Sequence, residues 1–273
     1  MIRKLKTPLY HTGAIAVALL VTIPFFWMIS TSLKSRGALM ALPIEWIPSE
    51  PTFNSYMELF AKDGVANALF NSMIVAVCSV MITLVSSAMA AFVFSKIEFK
   101  GRDAIFMFYL ATMMIPSQVL FIPLFLLMSE LGLTDTLAAL VLPTVFKAFA
   151  VFMLRQQMMA IPKAYMEAPM IDGAGLWRIF ISIICPMCKP AFATLAVISF
   201  MESWNDFLLP LVLLSTKTKF TLPIILSSLN GQYTNEYNLL MAGALVSMIP
   251  VLILYAFAQK HFTAGFQIGG VKG

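Results

Sequence analysis

The sequence predicts an all-α integral membrane protein built from six transmembrane helices, and three observations carry that prediction. The 273 residues are 60% hydrophobic and only 11% charged. Their mean hydropathy of +0.88 lies outside the soluble globular range. The apolar residues gather in runs long enough to cross about 30 Å of hydrocarbon, and the Lys and Arg residues gather at the ends of those runs.

The start, MIRKLKTPLYH, places Arg3, Lys4 and Lys6 ahead of an apolar run from about Thr12 to Thr31. A basic start followed by an apolar core also describes a secretory signal. This run is about 20 residues long and no small-residue cleavage site follows it, so it reads as a retained first span with its N-terminus inside. Residues 34–66 form a polar outer loop with Pro43, Pro48 and Pro51, and little regular structure is expected there. Trp46 suits the interfacial belt.

The second span covers about Asn67 to Phe94, and Lys96, Lys100 and Arg102 in the short loop after it mark the inner side. The third span, about Asp103 to Met128, contains Pro116 and Pro123, and the fourth, about Thr134 to Met158, contains Pro143. Kinks are expected at these prolines. The connection SELGLTD between the two spans has no basic residue, as an outer turn should. Arg155 brings the chain back inside, where a polar loop occupies about 159–182. A fifth span runs from about Ile183 to Leu208, an outer segment fills about 209–237, and a sixth span ends near Ala258. The proposed inner segments hold twelve Lys and Arg residues against five in the outer ones, which predicts cytoplasmic N- and C-termini. No internal repeat is visible, and 1–273 reads as one transmembrane domain.

Composition excludes several functions. The net charge of +5 is spread along short connections between apolar runs, so no nucleic-acid reading survives. Two histidines and three cysteines offer neither a metal site nor a disulfide framework. The chain lacks the G-x-x-x-x-G-K-[ST] loop that cradles nucleotide phosphates, so any ATP is hydrolysed by another subunit.

The inner loop organises the rest. In IPKAYMEAPMIDGAGLWRIFISIICP, Pro162 can open a helix over Ala164 to Ile171 that presents Glu167 and Met170 as neighbours. Gly173 can then turn the chain sharply into a second helix near Leu176. Glu167, Ala168, Gly173, Ile183 and Pro186 keep the spacing E-A-A, three residues, G, nine residues, I-x-L-P. That spacing resembles the signature loop of bacterial ATP-binding-cassette (ABC) importer permeases. The wording from IPK to PAFATLAVISFMESWNDFLLPL is similar to the carbohydrate-uptake branch, the maltose-type inner-membrane permeases. The closing VKG and the NSY…NS phrase before the second span fit as well. Pro169 and Cys185 depart from the pattern, standing where Ala and Leu are usual.

The resemblance implies a type I ABC importer permease bundle in the bacterial cytoplasmic (inner) membrane, with membrane lipid around it. It implies a second homologous permease, two ATP-binding subunits carrying ATP and Mg, and an extracytoplasmic sugar-binding protein. No cofactor is expected on this chain. The first loop helix would be the coupling helix, seated in a groove on the ATPase. Glu167 would be its ionic anchor, Ala168 would allow close approach, Gly173 would make the bend, and Met170 and Asp172 would complete the surface. An amphipathic hairpin on the headgroups is the alternative, but such helices are rich in Lys and Arg, and this stretch has one Lys. The tail would reach the ATPase dimer interface or simply fray.

Lys147 lies about 20 Å into the fourth span. A charge at that depth faces a partner or a hydrated path, and Glu202, Asn205 and Asp206 are candidate partners. Lys147, Glu202 and Asn205 read as lining a sugar path, with Tyr233 and Asn235 as outer contacts, or Lys147 and Glu202 read as a structural ion pair; both readings stand at this point. A self-sufficient secondary transporter would have to couple through Lys147, Glu202 and Asp206. A membrane thiol oxidoreductase would rest on Cys185 and Cys188, a C-x-x-C pair placed at the start of a membrane helix.

Overall fold

The computed structural model describes residues 2–40, 43–229 and 236–266, and among them every regular element is helical. Three helices are long and apolar enough to cross a membrane, and six spans result if each of three bent pairs counts as one. The residues fall into two compact units, Met1–Ala66 with Ile225–Ile249, and Asn67–Ile224 with Pro250–Gly273.

In the first unit, α1 (Ile2–Ser32) exposes Ile15, Leu19 and Leu20, an apolar surface suited to lipid. The loop expected over 34–66 is more ordered than its prolines predict, because it contains α2 (Asn54–Ala61), which buries Ser55 and Leu59 one turn apart. All three loop prolines precede Asn54, so none of them interrupts the helix. Lys34 is buried at the end of α1, where its ammonium donates to the Glu45 carbonyl and lies 4.5 Å from the Trp27 ring centre. Arg36 and Lys62 both pair with Glu236, at 2.8 and 2.6 Å.

The second unit is arranged along α3 (Val65–Lys96). Its buried face carries Ala68, Ser72, Ala76, Ser79, Thr83, Ser87 and Ala91. Small side chains at helical spacing let neighbouring backbones approach closely inside a bilayer. At one end of α3 the Asn71 amide donates to the Thr218 and Phe220 carbonyls, at 2.9 and 3.0 Å. At the other end the Lys96 ammonium donates to the Ile161 carbonyl at 2.7 Å. Those two residues lie about 37 Å apart along the helix, so the 214–222 connection and the Ile161 loop occupy opposite ends of the unit.

Prolines act here according to position. The third span is not a kinked rod but two pieces, α4 (Arg102–Ala111) with a 3-10 turn, and α5 (Phe121–Glu130) after another, set at 92° to each other. Pro116 pushes Ile115 into extended backbone, with ψ of 117°, and the helix ends there. Pro123 falls in the first turn of α5, where no intrahelical partner for its N–H exists, so it breaks nothing. The fourth span bends by 42° at Lys147, between the stretch formed by α6 (Leu137–Val141) with a 3-10 turn and α7 (Ala148–Met159).

Asp135 ties the connection between the third and fourth spans to the one that follows Leu213. It sits in the left-handed region at φ 57° and donates its N–H to the Leu213 carbonyl at 2.8 Å. Its carboxylate accepts from the Thr216 hydroxyl at 2.6 Å, from the Ser215 and Thr216 N–H groups at 2.9 Å, and from the Lys219 ammonium at 3.0 Å. The Thr216 hydroxyl first, then the two N–H groups and Lys219, hold this carboxyl well below the usual carboxylate range. A carboxylate with a lowered folded pKa contributes stability in full above its unfolded value of about 3.9, and loses it as pH falls through the folded value. We therefore expect Asp135→Asn to lower the melting midpoint at neutral pH and to flatten its fall below about pH 4. Melting curves of the detergent-solubilised protein at several pH values test this.

Candidate functional site

After Ile161 and Pro162, α8 (Ala164–Ile171) forms within the bounds that the sequence predicts. Met166 is buried in the cluster that also holds Met158, Ile161, Ile179 and Phe180, which fixes the rotation of the helix. Glu167, Met170 and Asp172 are then left exposed, and Ile171 is 86% exposed. The helix continues through Pro169. It ends in a Schellman turn: Ala174 N–H donates to the Pro169 carbonyl at 2.8 Å and Gly173 N–H to the Met170 carbonyl at 3.0 Å. Gly173 takes φ of 80°, and a Cβ there would meet nothing within 4 Å. Gly173→Val should therefore cost only its backbone strain, about 1–2 kcal/mol. That cost falls on the turn, so limited proteolysis should cut the loop faster while the bundle melts unchanged.

Behind the turn, α9 (Leu176–Ile179) passes through a π-helical stretch, Phe180–Ile184, into α10 (Cys185–Met187). Pro186 supplies no N–H, and the widened turns lie immediately before it. The chain bends by 78° at Cys188 and continues as α11 (Lys189–Trp204), so the fifth span, expected over about Ile183 to Leu208, is two helical pieces. The bend falls between Pro186 and Pro190, where a continuous helix would set the second ring against the first residue's carbonyl. Cys188 is sealed in the core and Cys185 is half-buried, which leaves no exposed thiol pair for redox exchange at this position.

Around α8, Ala168 lines a shallow apolar recess with Ala164, Tyr165, Pro169 and Ile183. Lys163 pairs with Glu98 at 3.2 Å. The sequence pattern points to Glu167 but not to Ile171, which is 86% exposed beside Met170. Arg155 was also hidden. Its guanidinium donates to the Phe94 carbonyl and to Asp103, both at 3.1 Å, and lies 4.1 Å from the Phe106 ring centre.

The second predicted cluster is partly assembled. Lys147 pairs with Glu202 at 2.7 Å. Asn205 does not join them: its amide turns back to the Met201 carbonyl at 2.9 Å and closes its own helix. Trp204 is buried and stacks on Phe200 with ring centres 5.6 Å apart, away from the pair's two cavities. Tyr233 and Asn235 lie outside the described residues, as does the closing VKG. Among the described residues no group of three His, Cys, Asp or Glu side chains could hold a metal ion.

Comparison with known proteins places this geometry. Residues 82–267 match the family described as binding-protein-dependent transport system inner membrane component. The chain is 36% identical over 264 residues to the arabinooligosaccharides transport system permease protein AraQ of Halalkalibacterium halodurans, covering 96% of this chain and 95% of that one. It is 30% identical to the lactose transport system permease protein LacG of Rhizobium radiobacter, covering 99% and 98%. Its fold superposes with a TM-score of 0.85, at 24% identity over 95% of this chain and 97% of the other, on a chain of a bacterial ABC transporter involved in the import of the acidic polysaccharide alginate. A signature helix and turn at the expected residues, a match over more than half of the chain and relatives similar along their whole length lead to one conclusion: this chain belongs to the family of inner membrane components of binding-protein-dependent transport systems, as a multi-pass, non-catalytic permease subunit.

Proposed function

We propose that this permease carries a sugar, oligosaccharide or polyol derivative inward across the bacterial cytoplasmic membrane by alternating access, acting as one domain over 1–273. The observation that carries the reading is the α8 turn, a fixed helix that leaves Glu167, Met170 and Ile171 uncovered. The relatives named for arabinooligosaccharide and lactose transport support a carbohydrate cargo. Two ATPase chains, holding ATP and Mg, receive this helix and its counterpart on a second homologous permease. Their closure on ATP moves α8 and opens the bundle toward a loaded sugar-binding protein, and hydrolysis returns it. An alginate ABC transporter solved with a pentasaccharide-bound periplasmic protein is a precedent for that delivery. Both termini lie in the cytoplasm, in keeping with the distribution of Lys and Arg.

Mild extraction of the tagged chain from its host membrane tests the reading. An ATPase should accompany it, and hydrolysis should rise when sugar and binding protein are added. Transport that survives ATP depletion and collapses with an ionophore, with no ATPase bound, would instead establish a self-sufficient transporter.

A further inference from the structure

Two cavities in the second unit meet at one ion pair. The first is lined by Val75, Thr144, Ser203, Asp206 and Leu209, and the second by Gln118, Phe149, Leu195 and Ser199; Lys147 and Glu202 line both. Residues 195–199 precede Glu202 within α11, while Asp206 and Leu209 follow it past the end of that helix at Trp204, so the two cavities lie on either side of the pair along the chain. The cavity containing Leu195 lies on the α8 side, since Leu195 belongs to the same buried cluster as Met166. The cavity containing Val75 lies on the opposite side, beside the cluster of Val75, Leu140 and Leu213.

Lys147 is placed to move. It occupies the break between two helical pieces, with φ of −80° and ψ of 99°, and its carbonyl opens α7 by accepting the Val151 N–H at 3.2 Å, so its freedom to move lies in the long side chain. A second carboxylate, Asp206, lies four residues beyond Glu202 in the connection past the end of α11, accepts the Leu209 N–H at 3.3 Å, and lines the first cavity together with Lys147. A single lysine thus faces two carboxylates spaced along the path, and it is bonded to the one nearer α8.

We propose that the Lys147–Glu202 pair is the partition between the two cavities, and that Asp206 is the alternative partner Lys147 takes when the partition opens. This rests on the reading of the chain as a permease with a central path. The exchange needs only the flexible lysine side chain to swing between two carboxylates that line one cavity, and it leaves the ammonium paired in both positions, so the path opens without stranding a charge in the membrane.

Sided labelling tests the partition in the complete importer, in right-side-out and inverted vesicles, with Cys78, Cys185 and Cys188 replaced by serine. In the resting state a membrane-impermeant maleimide should reach Gln118→Cys only from the α8 side and Thr144→Cys only from the other. Lys147→Met should abolish that sidedness and make Thr144→Cys reactive from both. The exchanged pair Lys147→Glu with Glu202→Lys should restore it, which a merely misfolded variant could not do. Asp206→Asn should keep the resting sidedness and slow sugar-stimulated turnover. Labelling of Thr144→Cys from both sides in the parent, unchanged sidedness in Lys147→Met, or full turnover in Asp206→Asn overturns the proposal. A parent that keeps its sidedness but shows no sugar-stimulated hydrolysis overturns the carbohydrate reading instead, and the two failures are distinct.

Discussion

Replacing Arg155 with leucine should lower the stability of the solubilised protein by about 2–4 kcal/mol. The guanidinium joins three elements: it donates to the Phe94 carbonyl near the end of α3, to Asp103 on α4, and lies against the Phe106 ring, while its own helix is α7. Leucine keeps much of the apolar volume and loses all three contacts. Asp103 is the least affected, since Arg102 still pairs with it at 3.2 Å, so most of the loss falls on the Phe94 carbonyl and the Phe106 face. Lysine should recover only part of the deficit, because it cannot fork toward two acceptors while lying flat on a ring. Thermal unfolding in detergent checks this, and an unchanged midpoint for the leucine variant would show that the contacts contribute nothing net.

Reversing the charge at Glu167 should do the opposite, sparing the fold and breaking the function. Glu167 is exposed, its N–H donates to the Lys163 carbonyl at 3.1 Å as any residue could, and among the described residues its carboxylate makes no hydrogen bond or ion pair, so Glu167→Arg should change stability by less than about 0.5 kcal/mol. If α8 seats on an ATPase as proposed, the variant brings like charge to a contact made for an anion. Truncating one side of such a pair typically costs 2–5 kcal/mol, so affinity for the ATPase should fall by about two orders of magnitude or more. Co-purification and sugar-stimulated hydrolysis measure that loss. A variant that retained both, with its melting unchanged, would move the anchoring role from Glu167 to the apolar residues Met170 and Ile171.

The contrast between these two residues shows what the sequence could disclose. The α8 helix was legible because its ends are set by local chemistry, Pro162 at the start and Gly173 at the stop. The Lys147–Glu202 pair was legible because charges are so scarce in the apolar runs that two of them at depth invite pairing. Arg155 was read only as a marker of topology, since its three partners lie 49 to 61 residues away and nothing local names them. Asn205 was expected to line a path because its side chain can bond a sugar, yet the same amide found a carbonyl four residues back. Pro116 and Pro123 look alike in a string of letters. One ends a helix and the other opens one, and the difference depends on where the turns of α4 and α5 begin. The order within the outer loop, α2 above all, was masked by prolines that lie outside the helix they precede.

Asp135 also sets an order of events in the making of the protein. Its acceptor groups meet donors at Ser215 and Thr216, 80 and 81 residues further along the chain. At a synthesis rate of about 5–20 residues per second, the carboxylate leaves the ribosome roughly 4–16 s before its donors exist. Throughout that interval a left-handed aspartate has no partners to hold it, and the connection between the third and fourth spans is free to rearrange. The junction closes only when the fourth and fifth spans have been threaded and both connections stand on the same side of the bilayer. Its formation therefore marks the moment at which insertion of the intervening chain is complete, and a nascent chain that misplaces one span cannot form it.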